Sequence, residues 1–165
     1  MKTYNLDEIF EIAEQIERNG AAFYRRAAEL AAERDAAGLL LKLAAQEEDH
    51  EKTFVELREA LVPEDRRVER HDQDQTVRHY LQALAGEYIF RKDTPPGDML
   101  KGSEDMRDIL DMAIQREKDS IVFYVGLVDT LPRPGDREKV SHIIREEQSH
   151  LACLSDEKKR STGVK

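Results

Sequence analysis

"AAQEEDHEKTF", residues 44–54, reads at first sight as a solvated, charged stretch of helix. A hundred residues later the chain writes "REEQSHLACL", residues 145–154, and again a Glu stands three places before a His. Helical phase decides whether these are two surfaces or two halves of one buried site. Leu43, Glu47, His50, Phe54, Leu57 and Leu61 recur at alternating steps of four and three, the spacing of a bundle-core seam. Val140, Ile143, Glu147, His150 and Leu154 repeat it. Glu48, Asp49, Glu51 and Lys52 fall off the seam and are expected in water. The charged run is therefore split, with Glu47 and His50 pointing inward.

The same offset of 100 aligns two upstream segments without a gap. "AEQIERNGAAFY" (13–24) lies over "AIQREKDSIVFY" (113–124), with Ala13/Ala113, Gln15/Gln115, Glu17/Glu117, Phe23/Phe123 and Tyr24/Tyr124 identical. Their seams run Phe10, Ala13, Glu17, Gly20, Tyr24, Ala27 and Met106, Leu110, Ala113, Glu117, Ser120, Tyr124, Leu127. The matches fall on ionisable and aromatic positions, where chance rarely concentrates them.

Four helices follow from the pattern, over about 6–32, 35–61, 104–131 and 136–158. Asn5 is the expected cap of the first, Val62-Pro63 stops the second and "LPRPGD" (131–136) separates the last two. Short turns make each pair an antiparallel hairpin, over about 6–61 and 104–158. Between them, residues 62–103 hold two polar loops and a short amphipathic helix in "TVRHYLQALAGEYIF" (76–90). Two hairpins joined by a long crossover give a ferritin-like four-helix bundle. The expectation is one all-α domain over residues 1–165, and the crossover helix either covers the bundle or forms a dimer contact. Residues 17 and 47 are symmetric about the first turn, and 117 and 147 about the second. Opposed hairpins therefore bring Glu17, Glu47, His50, Glu117, Glu147 and His150 to one level near mid-bundle.

Composition narrows the function. Charged residues make up 37% and hydrophobic ones 39%, with 26 basic against 35 acidic side chains and a net charge of -9. A phosphate-binding surface needs a basic excess, so nucleic acid is not an expected partner. The start has no apolar signal region, and no run approaches the ~18 apolar residues of a membrane span; no membrane association and a cytoplasmic location are expected. One Cys rules out a disulfide framework within the chain and a Cys-only metal centre.

Four carboxylates and two imidazoles in one core call for a metal. Each unpaired buried ion costs on the order of several kcal/mol, and the nearby Lys and Arg residues fall off the seams. Two divalent cations neutralise four Glu, neutral His completes each coordination sphere, and a Glu and His at i, i+3 share one helix face. One Glu from each of two helices and Glu-x-x-His from the other two is the constellation of ferritin-like di-iron and di-manganese proteins.

On these residues the chain resembles a rubrerythrin-type member of the ferritin-like di-iron superfamily over nearly its whole length. The resemblance implies that Glu47 and Glu147 bridge two iron ions per chain, manganese or a mixed pair being the other options. It also makes Glu17 and Glu117 terminal ligands and gives one ion each to His50 and His150. Two departures shape the expectation. Rubrerythrins proper carry a further Glu three residues after the third-helix ligand, where this chain has Ser120, so the ligand exchange tied to that Glu is not expected here. The rubredoxin-like module with its two Cys pairs is lacking, which resembles the stand-alone rubrerythrin-like proteins and leaves the chain dependent on an external electron donor or reductase. Reduction of hydrogen peroxide or dioxygen is the implied activity and a homodimer the expected assembly. A ferroxidase serving iron storage and a metal-free interaction bundle are the alternatives, the last disfavoured by its buried charges.

Secondary expectations concern single residues. Tyr24 and Tyr124, two turns from Glu17 and Glu117 on the same faces, are expected to hydrogen-bond ligand carboxylates, with core packing the plainer reason for their place. Gly20 costs ~1 kcal/mol in mid-helix, which suits close helix packing or room beside the metals. Cys153 is expected to pack. His71, His79 and His142 are expected at the surface, as is Glu87, for which a fifth carboxylate ligand from the crossover helix is the alternative.

Overall fold

The computed structural model describes residues 5–63, 79–81, 83–84 and 100–161. It is a bundle of four long helices: α1 (Leu6–Leu30), α2 (Arg34–Glu59), α3 (Met106–Thr130) and α4 (Pro134–Ser161). Asn5 caps α1 through a reciprocal pair, its side chain accepting from the Glu8 amide at 2.9 Å while its own amide donates to the Glu8 carboxylate at 3.0 Å. Asp105 caps α3 by accepting from the Asp108 amide at 2.9 Å, so that helix begins two residues after the expected start. Helix α4 begins at Pro134 rather than Asp136. Proline's fixed φ suits a first helical turn, where its missing N–H costs nothing.

Helix α1 packs on α2 and α3, and α4 packs on α3 and α2. Phenol–carboxylate bonds from residue 24 to 117 and from 124 to 17 show that α1 and α3 run antiparallel. Every seam residue named above is buried except Met106, which is half-buried. The buried apolar residues form two clusters. One holds Phe10, Phe54, Leu57, Leu127, Val140 and Ile143, and the other Phe23, Leu40, Leu43, Leu110 and Leu154. The ionisable seam residues occupy the level between them, walled from water at both ends of the bundle.

Most of the expected crossover helix lies outside the described residues, as do Glu87 and His71. Residues 79–81 are helical and rest on α3. Tyr80 donates to the Val122 carbonyl at 3.0 Å, and Leu81 is fully buried in the first apolar cluster. Gly126 permits this approach, since a Cβ there would stand 2.7 Å from the Tyr80 ring. This part of the crossover covers the bundle. His79 and His142 are exposed as expected. Cys153 is exposed too, against the expectation of packing, because one step off the His150–Leu154 seam turns it away from the core. Among the described residues no helix is long and apolar enough to cross a membrane.

Candidate metal centre

Each helix contributes to one polar layer. Helix α1 supplies Glu17, α2 Glu47 and His50, α3 Glu117, and α4 Glu147 and His150. None is more than 5% exposed. Their polar atoms converge in two overlapping groups, Glu17, Glu47, His50, Glu147 and Glu47, Glu117, Glu147, His150; in each, one ligating atom per residue lies within 4.8 Å of the others. Glu47 and Glu147 belong to both. His50 Nδ1 lies 2.8 Å from Glu147 Oε1 and 3.7 Å from Glu17 Oε2. His150 Nδ1 lies 3.2 Å from Glu47 Oε1, 3.2 Å from Glu147 Oε2 and 3.7 Å from Glu117 Oε1. The two imidazoles stack with centroids 5.6 Å apart.

Around this layer the hairpins latch each other. Tyr24 on α1 donates to Glu117 on α3, and Tyr124 on α3 donates to Glu17 on α1. The expected phenol–carboxylate bonds are present, but each reaches the opposite hairpin rather than the Glu two turns away on its own helix. Gly20 serves the layer by being small: a Cβ there would stand 2.6 Å from Glu47 Oε2. Glu146 borders the layer too, a residue that the sequence reading did not single out. Its carboxylate oxygen lies 3.1 Å from His50 Nε2, and the signal was its place beside Glu147, where α4 faces α2.

Metal-free, the layer must hold protons. Burial, then Glu17, keeps the Glu47 carboxyl well above the ordinary range. Burial, then Glu147, raises Glu17; burial, then Glu47, raises Glu147 from 4.5 to about 8. Burial pushes Glu117 up, but the neighbouring Glu147, His150 and Tyr24 outweigh it, so Glu117 alone in the layer is lowered. Burial disfavours both imidazolium ions, yet the facing carboxylates win, lifting His50 from 6.5 to about 11 and His150 to about 12. Burial and the adjacent carboxylates raise both phenols well above 10, so Tyr24 and Tyr124 stay protonated donors.

A group that holds its proton more tightly folded than unfolded stabilises the fold below its unfolded pKa and loses that contribution as pH rises towards its folded pKa. Glu147 acts between 4.5 and about 8, and the imidazoles from 6.5 upward. Glu117 works the other way, losing stability only as pH falls through the acid range. The metal-free protein is therefore expected to lose melting temperature between pH 5 and 8, by about 3–5 °C per pH unit for each proton involved. A flat profile in thermal denaturation across that range would mean the carboxylates are not coupled in this way.

The donor set suits hard or borderline divalent cations. Glu17 Oε2, Glu47 Oε1, both Glu147 oxygens, His50 Nδ1 and both His150 nitrogens are buried without a hydrogen-bond partner among the described residues. Ring nitrogens and carboxylate oxygens approach one another, yet outside hydrogen-bond geometry. Lone pairs aimed at common points, with burial that an uncompensated ion does not tolerate, fit a metal site better than a salt-bridge network.

Comparison with known proteins agrees with this fold and layer. The family model described as rubrerythrin matches residues 8–158. No curated protein matches the sequence. Among solved structures, a Thermotoga maritima protein described as ferritin-like and diiron-carboxylate superposes with a TM-score of 0.72. It is 24% identical, and the match covers 98% of this chain and 99% of that one. At that identity the likeness shows the shared fold.

Proposed function

This chain belongs to the rubrerythrin family, within the ferritin-like di-iron superfamily, and from that premise we propose that it reduces hydrogen peroxide with electrons supplied from outside. The observation that carries the reading is the overlap of the two buried groups at Glu47 and Glu147. Two residues common to two sets of four are what a pair of bridged ions requires. In this reading Glu17, Glu47, His50 and Glu147 would hold one ion, and Glu47, Glu117, Glu147 and His150 would hold the other. Two ferrous ions, when bound, would supply the two electrons that convert one peroxide and two protons to two waters.

The chain's own residues have the remaining tasks. The apolar clusters on either side of the layer exclude bulk water, which strengthens every electrostatic contact within it. Tyr24 and Tyr124 hold the terminal carboxylates in place from the facing hairpin and, as neutral donors, add no charge. Ser120 stands where rubrerythrins proper have a further Glu. Its hydroxyl donates to the Glu117 carbonyl at 3.0 Å, so it is engaged with backbone and adds no carboxylate to the layer.

The test is anaerobic loading of the metal-free chain with ferrous ion, followed by addition of peroxide and monitoring of absorbance. Rapid oxidation by one peroxide per chain is expected, with turnover only after a separate reductant or reductase is added. Slow reaction with peroxide, but fast oxidation by dioxygen and mineral growth in a large assembly, would assign a ferroxidase role instead.

A further inference from the structure

The internal repeat breaks behind the two imidazoles. His50 presents Nδ1 to the carboxylates and has Glu146 Oε2 3.1 Å from its Nε2. His150 presents Nδ1 in the same way, but its Nε2 is buried with no hydrogen-bond partner among the described residues. At the offset of 100, the residue standing where Glu146 stands is Gln46, which is half-buried. One ring is backed by a carboxylate and the other is not.

Resting on the two-metal reading above, we propose that Glu146 is a positioning residue that makes the two metal positions unequal. The position bounded by Glu17, Glu47, His50 and Glu147 fills first, and the position bounded by Glu47, Glu117, Glu147 and His150 fills second. An imidazole that ligates through Nδ1 must carry its proton on Nε2. A carboxylate accepting that proton fixes the tautomer and the ring orientation and makes the ligating nitrogen more basic. His150 must hold the same tautomer with a buried donor left unsatisfied, which opposes ligation. The repeat also breaks at Gly20 and Ser120, but the Ser120 hydroxyl is engaged with the Glu117 carbonyl and adds no ligand to either position. The bridging carboxylates are shared, and the terminal ones each receive one phenol. The exposed His142 also approaches Glu146, its Nδ1 lying 3.9 Å from the same oxygen. Glu146 therefore also links the His50 side of the layer to the surface.

Calorimetric titration of the metal-free full chain with manganese(II) as the sole metal tests this. Two binding steps are expected, differing in affinity by about 10- to 100-fold, the usual cost of removing a ligand's supporting partner. Glu146→Ala should weaken the first step by a similar factor and merge the two. Glu146→Gln, which keeps a neutral acceptor, should fall between. Gln46→Glu should selectively tighten the second step, a gain that damage to the fold does not produce. Two equal steps in the unmodified chain, a Glu146→Ala variant unchanged in both, or a Gln46→Glu variant unchanged in the second would overturn the inequality while leaving the two-metal reading intact. Uptake of one ion or none would overturn both.

Discussion

Glu47→Ala is expected to empty both metal positions, not one. Glu47 stands in both buried groups, as Glu147 does, so either substitution takes a carboxylate oxygen from each position and leaves two cations with one bridge. Metal content measured by elemental analysis should fall from two ions per chain to near none at micromolar free metal. Glu17→Ala or Glu117→Ala should weaken chiefly the position that the residue borders. Glu48→Ala is the control: its side chain pairs at the surface with Arg25, and metal content should not change. A folding defect is separable from ligand loss by circular dichroism, in which the metal-free Glu47→Ala chain should keep the helical signal and a cooperative melt. Retention of one full equivalent of metal in Glu47→Ala would show that this residue does not bridge.

Gly20→Ala should separate stability from metal binding more sharply. The new Cβ would stand 2.6 Å from Glu47 Oε2, a distance that real contacts do not tolerate, so the carboxylate tip must move. That tip is the end of a flexible side chain, and turning it costs the metal-free protein little. Replacing mid-helix Gly by Ala meanwhile favours the helix by about 1 kcal/mol. The metal-free variant should therefore unfold at the same temperature or a few degrees higher, while its metal affinity falls by at least about tenfold, the scale on which misplaced ligands are felt. Circular dichroism melting and metal titration on the same preparation check the two halves. Unchanged affinity would mean that Glu47 reaches its working position without the space Gly20 leaves.

The bundle and its polar layer were legible because seam spacing and the repeat report the same thing independently. A Glu or His at a seam position, in phase with Leu and Phe neighbours and repeated 100 residues later, has nowhere to go but inward. What escaped was whatever depends on which helix lies beside which. The phenols of Tyr24 and Tyr124 were rightly expected on carboxylates. Their exchange between hairpins follows from α1 lying antiparallel to α3, a relation that periodicity within one helix does not carry. Glu146 carried no signal of its own in the sequence, since a Glu off the seam ordinarily faces water. Only the packing of α4 against α2 brings it to His50. Cys153 shows the opposite error, since three residues after a buried His suggested packing where the exact phase points outward. Helix ends shifted by about two residues because local caps, Asp105 and Pro134, fix them more tightly than the apolar pattern does.

The central claim is that Glu47 and Glu147 hold two ions between four helices, and anomalous diffraction from crystals of the metal-loaded chain tests it most directly. The account predicts two peaks per chain, about 3.5–4 Å apart, one bordered by Glu17 and His50, the other by Glu117 and His150, with Glu47 and Glu147 between them. A single peak, or peaks away from these six residues, would contradict it.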